Sequence, residues 1–126
     1  MGAIVYLIDD DHSFRTALCR LLRGADFLVE AYPSASEFLK EKRPRDVAGC
    51  VVLDVDMPGM NGLALQEQLA GNRSTLPIIF LTANGDKAAR ALAIGSGAAD
   101  FLTKPVSKDI LVAAIKRAME TPRYAG

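Results

Sequence analysis

Five short apolar runs, separated by stretches with helical periodicity, constrain what this chain can fold into more than any other feature. They occupy residues 3–8, 27–31, 50–53, 77–81 and 100–103. The longest are apolar without alternation, which predicts strands buried on both faces. After the first run, Phe14, Leu18, Leu21 and Ala25 recur at helical spacing with Leu22 beside them, and Gly24 and Asp26 end that helix. Ser34-Ala35-Ser36-Glu37 fits a capping box that opens a helix to about residue 42, and Pro44 breaks it. Residues 57–62 have loop composition, and 63–70 form a short helix ended by Gly71-Asn72. Asn84-Gly85-Asp86 supplies a turn and a cap for an Ala-rich helix closed by Gly95 and Gly97. Ser107 caps a last helix whose Ile110, Leu111, Ala114, Ile115, Ala118 and Met119 face inward, and Pro122 follows it. The order is β-α five times. Such alternation predicts an α/β fold, a doubly wound five-stranded parallel sheet with right-handed crossovers and helices on both faces. Ligands of such sheets bind beyond the carboxyl ends of the strands, where strand order switches.

Four of the runs deliver reactive side chains to that edge. The first leads into Asp9, Asp10 and Asp11, the third into Asp54, the fourth into Thr82 and the fifth into Lys104. Singly, each has an ordinary explanation: helix caps, a strand threonine, a solvated lysine. Their joint fall on four strand ends points to a site. Crowded carboxylates repel one another unless a cation neutralises them. Oxygen-only ligands suit Mg²⁺, with Mn²⁺ as the alternative, and not zinc. Lys104 is a compact charge suited to a phosphate oxygen, Thr82 can donate to another, and a carboxylate can act as nucleophile toward phosphorus. Phosphoryl transfer requires mainly positioning and charge neutralisation, which this set supplies.

The remaining composition excludes more than it suggests. A length of 126 residues fits one domain. Fifteen basic residues balance fifteen acidic ones, so no basic footprint for nucleic acid is expected. No apolar stretch approaches the roughly 20 residues that span a bilayer. No signal peptide and no myristoylation pattern are expected at the first residues. Cys19 and Cys50 lack a metal-binding spacing with each other or with His12, and are expected as buried thiols in a reducing, cytoplasmic setting.

The motifs, taken together, resemble one family. Leu7-Ile8-Asp9-Asp10-Asp11, Val52-Leu53-Asp54-Val55-Asp56-Met57-Pro58-Gly59-Met60-Asn61-Gly62, Phe80-Leu81-Thr82-Ala83 and Asp100-Phe101-Leu102-Thr103-Lys104-Pro105 are similar, in order and spacing, to the receiver domain of bacterial two-component response regulators. Gly85-Asp86 after the fourth strand resembles the nitrogen-fixation regulators and their relatives. The resemblance covers nearly the whole chain. It implies a flavodoxin-like (β-α)5 fold with strand order 2-1-3-4-5, a receiver domain over 1–121, and a tail or truncated linker at 122–126. Asp54 would be the phospho-acceptor. Asp9, Asp10, Asp54 and the backbone carbonyl of Asp56 would hold Mg²⁺. Thr82 and Lys104 would contact the phosphoryl group, and Thr82 with Phe101 would form the switch. The Lys104–Pro105 bond would be cis. Partners would be a histidine kinase or phosphotransfer protein, and a second copy through the face of the fourth helix, fifth strand and last helix. The domain itself would bind neither nucleic acid nor membrane, would be no enzyme beyond its own phosphotransfer and dephosphorylation, and would control an output such as transcription. Asp11 receives no ligand role. His12 is not the phosphodonor, which lies on the partner kinase. Val106 stands where Phe is frequent in this family.

Two other classes remain to be compared. A haloacid-dehalogenase-type phosphatase also has Asp-x-Asp, as in Asp54-Val55-Asp56, but on its first strand and with further acids after the lysine. A receiver-like binding module that never uses phosphate would not need all five key positions filled.

Overall fold

The computed structural model describes residues 4–40, 49–54, 77–82, 91, 95 and 98–120. Five parallel strands form one sheet: β1 (Ile4–Ile8), β2 (Leu28–Tyr32), β3 (Gly49–Asp54), β4 (Ile78–Thr82) and β5 (Asp100–Thr103). Their order is β2-β1-β3-β4-β5, as the resemblance implied. The described helices are α1 (His12–Gly24), α2 (Ala35–Leu39) and the last helix (Lys108–Glu120). The expected helix at 63–70, the loop at 57–62 and the tail at 122–126 lie outside the described residues, as does the helix after Asp86 apart from Ala91 and Gly95, which are helical. Helix α2 ends at Leu39 with Lys40 as its C-cap, short of the expected residue 42.

The central strands are buried along nearly their whole length, as continuous apolar runs require. Successive side chains point to opposite faces and so divide the core in two. Val5, Leu7, Cys50, Val52, Ile79 and Leu81 meet α1 and the last helix on one face. Tyr6, Ile8, Val51, Leu53, Ile78 and Phe80 meet Phe38 of α2 on the other, together with Phe101 of β5. The edge strands β2 and β5 are less covered. Gly49 opens β3 where no side chain fits: a Cβ there would lie 2.5 Å from the Ile4 carbonyl oxygen of the paired strand.

The caps follow the sequence. Asp11 accepts from the Phe14 N–H at 3.1 Å, Ser34 Oγ from the Glu37 N–H at 3.2 Å, and Ser107 Oγ from the Ile110 N–H at 3.2 Å. Helix α1 ends at Gly24, and Asp26 takes the left-handed conformation with φ 71°. Asp tolerates that conformation better than most residues.

Three expectations change in detail. Strand β2 runs one residue later than 27–31, because the Phe27 N–H donates to Leu22 O in the turn closing α1, while Tyr32 pairs with Ile8. In α1 the fully buried positions are Leu18, Cys19 and Leu22, with Phe14 and Leu21 only partly covered. Ile110 does not face inward: it is 55% exposed. The buried stripe of the last helix is Leu111, Ala114, Ile115 and Ala118. At about 100° per residue, Ile110 lies off the side of that stripe. Met119 lies off the other side and is partly buried.

Candidate functional site

The site is assembled at the carboxyl edge of the sheet by consecutive strand ends. Ile8 of β1 is in register with Leu53 of β3, and Asp54 with Leu81 of β4, so Asp9, Asp54 and Thr82 end neighbouring strands. The Asp9 N–H still donates to Tyr32 O at 3.1 Å, which holds its backbone as an extension of the β1–β2 ladder. The three consecutive acids therefore diverge. Asp9 turns inward and is 1% exposed, Asp10 is exposed, and Asp11 caps α1. The cap reading of the acid run holds for Asp11 alone. Asp54 and Thr82 are buried.

Lys104 follows β5, where its N–H donates to Thr82 O at 2.7 Å and its bond to Pro105 is cis. Its flexible stem crosses the end of β4 to the carboxylates. Nζ lies 3.3 Å from Asp54 Oδ2 and 3.6 Å from Asp9 Oδ2. The second distance is an ion pair and not a hydrogen bond, and among the described residues the buried Asp9 Oδ2 has no hydrogen-bond partner. Asp9 Oδ1 accepts from the Asp11 N–H at 2.9 Å. Burial, with a lesser push from the neighbouring Asp54, raises the Asp9 carboxyl to about 6 against the opposing pull of the Asp11 N–H and Lys104.

Ligand atoms of Asp9, Asp10 and Asp54 all lie within 4.8 Å of one another. A buried carboxylate oxygen lacking a donor, in a set of oxygens only, fits a hard cation such as Mg²⁺. This triad, with Lys104 beside it, matches the metal site that the resemblance implied. Asp56, whose carbonyl was expected to join it, lies outside the described residues. Phe101 is buried and stands edge-on to Phe80, with ring centroids 6.4 Å apart. His12 is exposed, with Nδ1 3.2 Å from Arg15 Nη2.

Two contacts were not anticipated. Arg15 Nη1 donates to the Asp9 carbonyl at 2.6 Å, tying α1 to the acid loop. Lys104 Nζ sits over the Phe14 ring, 4.2 Å from its centroid. The periodicity of α1 marks Phe14 as a core position. The available signal is its place in the first turn of a helix that starts directly after the acid run.

Residues 5–116 match the family described as "Response regulator receiver domain". The chain is 41% identical over 119 residues to response regulator protein TodT of Pseudomonas putida, covering 94% of this chain and 52% of that protein. It is 40% identical over 115 residues to transcriptional regulatory protein FixJ of Bradyrhizobium diazoefficiens, covering 91% of this chain and 56% of that protein. This bears out the expected likeness to the nitrogen-fixation regulators. The chain thus spans about half the length of the curated relatives it matches. The crystal structure of FixJ-N superposes with a TM-score of 0.87 at 32% identity, covering 98% of each chain.

Proposed function

This chain belongs to the response regulator receiver domain family, and we propose that it accepts a phosphoryl group on Asp54 from a partner histidine kinase or phosphotransfer protein. Family membership makes it a signalling domain with a cognate histidine kinase and not an enzyme in the ordinary sense. One observation carries the proposal: the buried Asp54 carboxylate lies 3.3 Å from Lys104 Nζ, within a triad of carboxylates that can hold a metal.

In the proposed reaction an Asp54 oxygen attacks phosphorus. The bond from phosphorus to the donor's imidazole nitrogen breaks, and its electron pair stays on that nitrogen. Bound Mg²⁺, or Mn²⁺, supplies positive charge that offsets the crowded carboxylates and the phosphoryl oxygens. Asp9, Asp10 and Asp54 would hold it, with the Asp56 carbonyl as the further ligand the resemblance implies. Lys104 transfers its ion pair from Asp54 to a phosphoryl oxygen, and Thr82 donates its hydroxyl to another. Movement of Thr82, with Phe101 following, biases a pre-existing equilibrium. The face of the fourth predicted helix, β5 and the last helix then changes, controlling homodimerisation and an output.

Transcription is the output that the name of FixJ supports. The family match over residues 5–116 supports a receiver unit over 1–121, with 122–126 left as a tail or linker. A cytoplasmic location fits this role; among the described residues no helix is long and apolar enough to cross a membrane. Incubation with acetyl phosphate and Mg²⁺ should add one phosphoryl mass to the protein. An adduct that persists in Asp54→Asn would overturn the assignment.

A further inference from the structure

We propose that Phe14 is a positioning residue for Lys104: its ring face holds the ammonium at the site while the carboxylates change partners. This rests on the reading of Asp54 as phospho-acceptor. Among the described residues, the neighbours of Lys104 Nζ are Asp54 Oδ2 at 3.3 Å, Asp9 Oδ2 at 3.6 Å and the Phe14 ring at 4.2 Å. Its side chain is only 19% exposed, so water offers it limited compensation.

The two carboxylates are the variable partners. In the proposed reaction Asp9 and Asp54 serve the metal and Asp54 takes the phosphoryl group, so neither can hold the ammonium throughout. The ring is the constant partner. Its face carries partial negative charge, binds no metal and exchanges no proton. It is also held in place. The Asp11 carboxylate caps the Phe14 N–H, and the side chain packs against the core cluster of α1 and the last helix. Lysine on a four-carbon stem is otherwise mobile. An aliphatic side chain at position 14 fills similar space without attracting the charge, so packing alone does not supply this restraint.

The test uses the intact chain with Leu, Tyr or phenylalanines of increasing ring fluorination at position 14. Each fluorine weakens the negative face with little change in shape. The readout is the rate of Asp54 phosphorylation by acetyl phosphate with Mg²⁺, followed by intact mass, alongside the melting temperature. A cation–π contact in a partly desolvated site predicts that Phe14→Leu is about 3- to 10-fold slower. Phe14→Tyr should stay near the parent rate. The fluorinated series should slow stepwise at a level melting temperature, and this dependence should vanish in Lys104→Gln. If Phe14→Leu slows the reaction but the fluorinated series is flat, the ring acts by packing and the inference is wrong. A fluorine effect that survives in Lys104→Gln overturns it too. Both failures leave the Asp54 reading intact, whereas an unlabelled parent protein, or labelling that persists in Asp54→Asn, removes that reading itself.

Discussion

Asp9, Asp10 and Asp11 are chemically equivalent in the chain and have different surroundings in the fold, and the burial of Asp9 has a measurable cost. Its carboxyl ionises at about 6 in the folded protein against 3.8 in the unfolded chain. The folded state therefore binds the proton more tightly. The stability this provides is complete below about 3.8 and is lost as pH rises through about 6. A shift of roughly two units corresponds to on the order of 2–3 kcal/mol. With metal chelated, urea unfolding should show stability falling between pH 5 and pH 7. Asp9→Asn should flatten that fall and be the more stable protein at pH 7. A wild-type profile that is level over this window contradicts the account. At this scale the strand-end groups were legible, because side-chain chemistry and position in a run are both written in the chain. The divergence of the acids was less so, since it depends on the Asp9 N–H staying bonded to Tyr32 O across strands. The contact of Lys104 with Phe14 was not legible at all, because it joins distant parts of the chain through space.

Strands and helix caps were legible as elements because each depends on a few neighbouring residues. Continuous apolar runs became the buried β1, β3 and β4, and Ser34 and Ser107 cap their helices. Errors arose where a neighbouring element decides. The turn closing α1 takes up Phe27 and shifts β2, and the last helix turns its stripe of Leu111, Ala114, Ile115 and Ala118 to the core, which leaves Ile110 outside. Gly49 shows the same dependence. Nothing local in β3 demands glycine, yet a Cβ there would meet Ile4 O at 2.5 Å and the Tyr6 ring at 3.3 Å. The first obstacle is paired backbone, which cannot turn aside. Gly49→Ala should therefore lower the urea midpoint by about 1–3 kcal/mol equivalent, the usual cost of overpacking. By comparison, Asp11→Ala removes only the cap on the Phe14 N–H and should cost about 1 kcal/mol. If Gly49→Ala is neutral, β1 and β3 separate more easily here than their pairing implies.

In the whole molecule, two cores on opposite faces of the sheet fix the strands in register, and the register brings Asp9, Asp54, Thr82 and Lys104 to one edge. Alternation of runs and helices predicted the class of fold and that edge, but it cannot order the strands; the order came through the family resemblance. Because the fold is what brings the acids within reach of one another, a cation that binds there stabilises the entire fold. A ligand at 100 times its dissociation constant adds about 2.7 kcal/mol if it binds only the folded state. Adding Mg²⁺ should therefore raise the melting temperature. The increase should be larger at pH 7 than at pH 5, because below about 6 a proton on Asp9 competes with the cation. Asp54→Asn removes one ligand and should reduce the rise at both pH values. Asp9→Asn removes both a ligand and the competing proton, so its smaller rise should also lose the difference between pH 5 and pH 7. Calorimetric scans with and without Mg²⁺ at the two pH values measure this directly. A pH difference that persists in Asp9→Asn would show that another group controls metal binding.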